Sequence, residues 1–272
     1  MALPAPSPAS TAVVTGASSG IGAELARELA RRGHGVTLVA RRRERLEQLA
    51  AELAGAHGIR AEVVTADLTD EAARKAIASA LDDLGLHAGI LVNNAGLSTT
   101  GPVHAADPDA ELRMIRTDVE AVVHLCSLFV PGMVERGSGG ILNVASTAAF
   151  QPMPGQSGYA ASKAFVLSYG YGLRGELKGT GVHCTTLCPG PVETEFAETA
   201  GFREDETGAL PRFMWESPEA VARCGIDGLD AGRAVAIPGI ANRVGAAVAW
   251  YTPRPLLVPL LARQHPALRE GR

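Results

Sequence analysis

The chain has 272 residues, of which 46% are hydrophobic and 20% are charged, with 25 basic and 29 acidic side chains. This length and apolarity are ordinary for one large α/β domain and exclude an intrinsically disordered chain. The net charge of −4 argues against general nucleic-acid binding, and four cysteines without a C-x-x-C pair argue against a disulfide framework or a metal site.

Strand and helix patterns alternate along the chain. Residues 1–10 have neither the basic nor the apolar segment of a signal peptide, so we interpret them as a loose leader of a cytoplasmic protein. Strand patterns follow at 11–15, 36–40, 61–65, 90–93, 140–146, 182–188 and 234–237. Helical patterns lie at 24–32, 46–53, 77–84, 109–130 (ended by Pro131-Gly132), 159–178 and from Ser217-Pro218 onward. Repeated β–α–β units predict a single α/β domain with a parallel sheet and helices on both faces.

Two further segments flank the predicted sheet. The catalytic domain is expected to span 11–238, and the irregular stretch 193–216 inside it is a candidate substrate loop. The remaining 239–272 form a C-terminal helix and tail, whose apolar run is interrupted by prolines and therefore predicts no transmembrane segment. This tail either covers the active site or a neighbouring subunit, or makes a peripheral membrane contact through Trp250 and Tyr251.

A glycine-rich turn follows the first predicted strand and opens the first helix. Glycines let the backbone approach a pyrophosphate, and the helix N-terminus offers N–H groups to it. Its spacing is G-x-x-x-G-x-G, and a tight packing turn is the alternative interpretation. The candidate cofactor-binding residues here are Gly16, Ser18, Ser19, Gly20, Ile21 and Gly22.

The end of the second predicted strand indicates which nicotinamide cofactor binds. NAD sites usually place Asp or Glu there, whereas this chain has Ala40 followed by Arg41. A guanidinium can bind a 2′-phosphate that a carboxylate would repel, so we predict NADP(H) in preference to NAD(H). The alternative is that the arginines from Arg41 onward form the solvated first turn of the next helix.

Three side chains form a candidate reactive set. Tyr159 and Lys163 are four residues apart on one predicted helix face. An ammonium favours the phenolate, which brings the tyrosine pKa closer to neutral pH. Ser146 closes the preceding strand and can bind a substrate oxygen. A Tyr/Lys pair at this spacing also occurs by chance on many helices.

These motifs occur together in a fixed order. The sequences T-G-A-S-S-G-I-G, N-N-A-G, I-L-N-V-A-S, Y-A-A-S-K and P-G-P-V-E-T occur in this order between residues 15 and 194. The chain thereby resembles the short-form branch of the short-chain dehydrogenase/reductase family. The resemblance that these motifs carry covers about residues 11–237.

The resemblance implies a doubly wound Rossmann-type sheet of about seven strands, and a homodimer or homotetramer. It also implies that Tyr159 exchanges a proton with the substrate, that Lys163 lowers the tyrosine pKa and binds the nicotinamide ribose, and that Ser146 orients the substrate. Further cofactor contacts would be Asp67, Leu68, Asn94, Ala95, Gly96, Pro189, Gly190, Val192 and Thr194.

One position departs from the family pattern. Members commonly carry Asn in the long helix before the serine, where it helps to hold a proton-relay water, and the matching residue here is Asp118, or else the position shifts to Thr117. A carboxylate accepts hydrogen bonds but donates none. Asp118 is therefore a candidate catalytic residue that either holds the water and strengthens the field on Lys163, or weakens the relay.

The combined interpretation is an NADP(H)-dependent oxidoreductase that interconverts a carbonyl and an alcohol, in the reductive direction in the cell. An apolar small-molecule substrate is indicated by the apolar side chains of the candidate loop: Phe196, Phe202, Leu210, Phe213, Met214 and Trp215. Two other functions stay open. One is a catalytically silent nucleotide-binding scaffold, and the other is epimerase or dehydratase chemistry on the same fold.

Overall fold

The computed structural model describes residues 3–196, 211–264 and 268. The strands are β1 Ser10–Thr15, β2 Gly35–Ala40, β3 Ala61–Thr65, β4 His87–Asn93, β5 Gly139–Val144, β6 Val182–Leu187 and β7 Val235–Ala236. The helices are α1 Gly20–Arg31, α2 Arg43–His57, α3 Glu71–Asp83, α4 Pro108–Ile115, α5 Ala121–Glu135, α6 Ser157–Glu176, α7 Pro218–Asp230, α8 Ile240–Tyr251 and α9 Arg254–Gln264. Short 3₁₀ turns lie at Val103–Ala105, Thr147–Phe150 and Arg212–Met214.

All seven described strands pair in parallel, in the order β3-β2-β1-β4-β5-β6-β7. This confirms the predicted doubly wound, Rossmann-type single domain. The strand order reverses between β1 and β4, so the connections after these two strands diverge to opposite faces of the sheet. A crevice forms at the carboxyl ends of the strands at such a reversal, and ligands of these folds bind there.

Helices cover both faces of the sheet. Side chains of α1, α2 and α7 form one core layer, and side chains of α3, α5 and α6 form the other. Leu25 and Leu29 of α1 are fully buried against β-strand side chains, and each contributes about 1.5–3 kcal/mol of burial free energy. Both faces of the central strands are covered, which explains why their sequences are apolar without alternation.

The predicted helix at 109–130 was wrong at its C-terminal end. The helical segment begins at Pro108, passes through a π-helical turn at Arg116–Glu120 and continues to Glu135, so Pro131 lies inside α5. Phe129 and Met133 flank the proline and are buried in the core. Their packing offsets the backbone hydrogen bond that the proline removes.

Polar side chains cap helices at their N-termini. Asp70 caps α3 by accepting from the Ala72 N–H, and Ser217 caps α7 by accepting from the Ala220 N–H, with Pro218 as the first helical residue. The strand predicted to run to Ser146 ends at Val144, and Ser146 instead caps the 3₁₀ turn that follows it. The predicted loose leader is attached to the fold: Leu3 packs against the core, and the Ala9 carbonyl accepts from the His87 N–H at 2.9 Å.

The two segments outside the sheet are only partly described. Residues 197–210 of the candidate substrate loop, with Phe202 and Leu210, lie outside the described residues. The C-terminal region contains two helices, α8 and α9, rather than one. By length and composition alone, the helical segment Pro108–Glu135 could cross a membrane, but its inner face is part of the protein core.

Candidate active site

The glycine-rich turn and the Asn93–Gly96 turn are held together at the carboxyl edge of the sheet. The Asn94 Nδ2 donates to the Thr15 carbonyl at 2.9 Å, and the Asn94 and Ala95 N–H groups donate to the Thr15 hydroxyl at 3.0 Å. Gly16 has a φ of 66°, and a Cβ on Gly22 would overlap the Gly16 carbonyl and the Asn94 amide. Glycine is therefore required at both positions.

The N-terminus of α1 is available to an anion. Ser19 is its N-cap residue, yet among the described residues its side chain accepts no hydrogen bond from the helix, and the first turn carries no acidic residue. Uncapped N–H groups and the helix dipole favour a negative group at this end. The turn therefore fits the pyrophosphate of a dinucleotide cofactor, which Gly16, Gly20 and Gly22 would allow to approach.

Tyr159 and Lys163 lie one turn apart on α6, as the spacing predicted. The Lys163 Nζ is 5.5 Å from the centre of the Tyr159 ring and 2.9 Å from Asp118 Oδ2. Ser146 interacts with Tyr159 through its side chain. A Cβ on Gly96 would lie 3.1 Å from the Lys163 Nζ, so the glycine of N-N-A-G leaves room for the ammonium.

Asp118 is fully buried and is held by three donors. Besides Lys163, the Leu97 N–H donates at 2.7 Å, and the third is a longer contact of 3.4 Å from the Ser162 hydroxyl, which mainly donates to the Tyr159 carbonyl at 2.8 Å. The adjacent Thr117 instead donates to the Arg113 carbonyl within its own helix. The structure therefore brings Asp118, and not Thr117, to the candidate reactive set.

Burial and the neighbouring charges act in opposite directions on the pKa values of Tyr159 and Lys163. Burial raises the pKa of Tyr159 above its ordinary value, while the Lys163 ammonium and the Ser146 hydroxyl oppose that rise. Burial lowers the pKa of Lys163, but the neighbouring Asp118 and Tyr159 outweigh this effect and raise it overall. Lys163 is consequently held as a cation beside the tyrosine hydroxyl.

The arginines after β2 divide into different roles. Arg42 donates to the hydroxyls of Ser18 at 3.0 Å and Ser19 at 2.6 Å, so it reaches the glycine-rich turn directly. Arg41 is exposed and lies near Asp67, whose pKa is lowered mainly by the Thr69 N–H and also by the Arg41 charge. The sequence pattern singled out Arg41 alone, whereas the geometry adds Arg42.

Glu195 was not identified from the sequence. Its carboxylate accepts from Arg42 at 2.8 Å and from Arg45 at 2.7 Å. Hydrogen bonds from these two guanidinium groups lower the pKa of Glu195 to about 2. Glu195 lies within the candidate substrate loop, so an anion from that loop occupies Arg42, the arginine that reaches the glycine-rich turn.

The P-G-P-V-E-T segment borders the same crevice. The Pro189 carbonyl accepts from the Thr147 N–H at 2.8 Å, and Val192 pairs with Glu216. Thr194 lies against the glycine-rich turn at Gly20. If Gly20 had a Cβ, that atom would be 3.1 Å from the Thr194 Cγ2. The predicted residues Pro189, Val192 and Thr194 therefore lie along the path between Ser146 and the turn.

Asn242 on α8 is a second residue that sequence patterns missed. It is buried beside Gly190, its Nδ2 donates to the Met214 carbonyl at 3.0 Å, and its Oδ1 has no hydrogen-bond partner among the described residues. An isolated Asn in a helix carries no motif, so only the packing of α8 against this segment reveals it.

Ile21 and Leu68 have mainly structural surroundings. Ile21 packs against the core, and Leu68 is buried with its carbonyl accepting from the buried Arg74. No described group of three or more His, Cys, Asp and Glu side chains could hold a metal ion, and all four cysteines are free thiols.

The chain is similar in sequence to known proteins. The family model described as short chain dehydrogenase matches residues 10–205. The very-long-chain 3-oxoacyl-CoA reductase of Anas platyrhynchos is 37% identical over 220 residues, covering 79% of this chain and 67% of that protein. The NADP-dependent 3-hydroxy acid dehydrogenase YdfG of Escherichia coli K12 is 37% identical over 196 residues, covering 71% and 77%.

A solved structure extends the similarity to the fold. The short-chain dehydrogenase from Sphingobium yanoikuyae in complex with NADPH is 36% identical, covers 87% of this chain and 91% of its own, and superposes with a TM-score of 0.78.

Proposed function

The chain belongs to the short-chain dehydrogenase/reductase family of oxidoreductases, and from that premise we propose that it interconverts a carbonyl and an alcohol on an apolar small molecule, with NADP(H) as cofactor. The observation that carries this proposal is the surroundings of the Tyr159 side chain. It interacts with Ser146 and with the buried Lys163–Asp118 pair, whose ammonium lies 5.5 Å from the ring centre, and Gly96 of the N-N-A-G turn borders that ammonium.

The chain's own residues would supply orientation and the proton. In reduction, the Tyr159 Oη donates its proton to the carbonyl oxygen while Ser146 donates a hydrogen bond to the same oxygen. Lys163 stabilises the resulting phenolate, and Asp118 positions Lys163. The nicotinamide cofactor, when bound, supplies the hydride to the carbonyl carbon or accepts it from the alcohol.

The cofactor would be held by two sets of residues. The glycine-rich turn and the 189–194 segment would bind the pyrophosphate and the nicotinamide, and Asp67, Leu68 and the Asn94–Gly96 turn would border the adenosine. Arg41 and Arg42 favour a cofactor with a 2′-phosphate. The NADPH bound to the Sphingobium protein and the NADP named for the E. coli relative support the same choice.

An apolar substrate is supported by aromatic side chains near the tyrosine. The Phe196 ring lies 5.9 Å from the Tyr159 ring, and Phe213 and Trp215 follow at the far end of the same connection. We further propose reduction as the cellular direction, a cytoplasmic location, and a homo-oligomer that uses α4, α5 and α6.

Titration with NADPH and with NADH, followed by nicotinamide fluorescence, tests the cofactor. Tight NADPH binding should be followed by NADPH oxidation with apolar aldehydes and ketones and by product analysis. Conversion of a carbonyl substrate to the corresponding alcohol supports the proposal. Net epimerisation or dehydration without cofactor consumption would establish the other chemistry, and failure to bind either cofactor would favour a scaffold.

Arg41→Ala and Arg42→Ala should each weaken NADPH binding about tenfold or more and change NADH binding little, because a charge-assisted hydrogen bond to the 2′-phosphate is lost. The matched control is Arg43→Ala, whose guanidinium binds Glu47 within α2 at 2.7 Å and should leave both dissociation constants unchanged. Equal weakening of NADPH and NADH would contradict the assignment.

Glu195→Gln should tighten NADPH binding several-fold, because it removes an anion that competes with the 2′-phosphate for Arg42. NADH, which lacks this phosphate, should bind as before. Glu193→Gln removes a nearby charge and serves as the control for a general electrostatic effect. Tighter binding of NADH by the Glu195 variant would refute competition for the phosphate site.

A further inference from the structure

One side of α8 is an exposed apolar face, and the following helix, α9, carries further exposed apolar side chains. Its α8 residues recur at i, i+4, i+8 and i+11, which places them on one side of the helix. They are exposed by 78%, 58%, 61% and 83%: Ile240, Val244, Val248 and Tyr251. Leu256 and Leu260 of α9 are exposed by 69% and 53%. We refer to these six residues as the α8–α9 face.

The opposite side of α8 is attached to the protein. Asn242, Ala246 and Ala249 on that side are buried. One side of the helix therefore packs against the fold, and the other side presents large apolar side chains to solvent, the reverse of an ordinary surface helix. Single exposed apolar residues are ordinary on protein surfaces, but a contiguous patch of this kind marks an interaction site.

The charged side chains of the chain segment that carries this face are all of one sign. Between Asp230 and Glu270 the sequence has five arginines and no acidic residue, although the whole chain carries a net charge of −4. Arg243 and Arg254 are exposed on the two helices themselves. A second copy docking face to face would bring arginines opposite arginines, whereas an anionic lipid surface complements both the charge and the apolarity.

We propose that the α8–α9 face binds the interfacial region of an anionic bilayer, with the helices lying in the membrane plane. Trp250 and Tyr251 at the end of α8 have amphipathic rings suited to the lipid headgroup level. The valines and leucines would enter the acyl boundary, and the arginines would contact lipid phosphates.

The half-exposed Trp250, at the flank of α8, connects this face to the candidate active site. The Trp250 ring packs on Phe150 at 5.9 Å, and Arg254 Nη1 donates to the Phe150 carbonyl at 3.2 Å. Phe150 ends the 3₁₀ turn that begins after Ser146. Membrane binding would therefore place the lipid surface beside the active site, where an apolar substrate concentrates. The binding itself does not depend on the proposed reaction.

Sedimentation of the purified full chain with vesicles tests this proposal. Vesicles of phosphatidylcholine with about 30% phosphatidylglycerol should pellet the protein, whereas pure phosphatidylcholine vesicles should bind at least tenfold less. Binding to the anionic vesicles should weaken as salt is raised from 0.05 M to 0.5 M. Equal binding to both vesicle types, or no binding, would overturn the proposal.

The variant Val244→Asp/Val248→Asp should lower vesicle binding at least tenfold, because it places two anions in the apolar face. The matched control, Ala76→Asp/Ser79→Asp, adds the same charge at exposed positions of α3 and should bind as the parent chain. Unchanged NADPH binding shows that both variants are folded, and Tyr251→Ser/Leu256→Ser is the substitute if the first is not. Undiminished vesicle binding, or a variant that only dissociates an oligomer in light scattering, would contradict the proposal.

Discussion

Replacing Tyr159 with phenylalanine is expected to lower kcat by about 10²- to 10⁴-fold, the usual contribution of a positioned general acid or base. The change removes only the hydroxyl, so the ring contact with Phe196 and the packing of α6 remain. NADPH should bind with a nearly unchanged dissociation constant, as measured by nicotinamide fluorescence. Steady-state turnover with a ketone identified in the substrate screen measures the loss.

Tyr171→Phe is the matched control for this experiment. Tyr171 lies on the same helix, is half exposed and points away from the reactive set, so removing its hydroxyl should leave kcat unchanged. Substantial activity in the Tyr159 variant would refute its role as proton donor. A large loss in both variants would instead show that α6 tolerates no change of this kind.

Lys163→Ala is expected to abolish turnover, weaken NADPH binding and destabilise the fold. Asp118 would be left as a buried carboxylate without its cation, and breaking a buried ion pair in this way costs about 3–5 kcal/mol. Urea unfolding measures the free energy, and stopped-flow kinetics measures turnover. A variant with parental stability and a normal pH–rate profile would contradict both roles of the lysine.

The double variant Lys163→Ala/Asp118→Asn separates stability from catalysis. It removes the unpaired charge while the amide oxygen can still accept from the Leu97 N–H. We expect most of the unfolding free energy to return, with turnover still absent. Recovery of turnover together with stability would mean that Lys163 acts only as a structural partner of Asp118.

Asp118→Asn alone should shift the pH dependence of alcohol oxidation. Burial is the main cause of the raised pKa of Tyr159, and the Asp118 charge adds to it. Removing that charge lowers the pKa, so the phenolate forms at lower pH and the acidic limb of kcat/KM moves toward lower pH. A limb that stays in place or moves to higher pH would contradict an ionised Asp118 beside the tyrosine.

Much of this protein follows from local sequence. A continuous apolar run such as 36–40 predicts a strand that is covered on both faces, as β2 is. Helical spacing of apolar residues identifies the segments between the strands. Caps such as Asp70 and Ser217 act within one turn, so their residues suffice to place a helix start. The motif order likewise identified the family, since each motif is a short contiguous segment.

Only the tertiary structure decided what depends on contacts between distant segments. Glu195 reaches Arg42 across 153 residues of chain, and Lys163 meets Asp118 from another helix, so no local pattern reveals either pair. Pro131 ends a helix by local rules, but core packing of its neighbours carries α5 past it. The contact of Arg42 with the glycine-rich turn and the exposure of one side of α8 were likewise decided by how the elements pack. Burial is a property of the folded chain, and the spacing of residues along the sequence does not determine it.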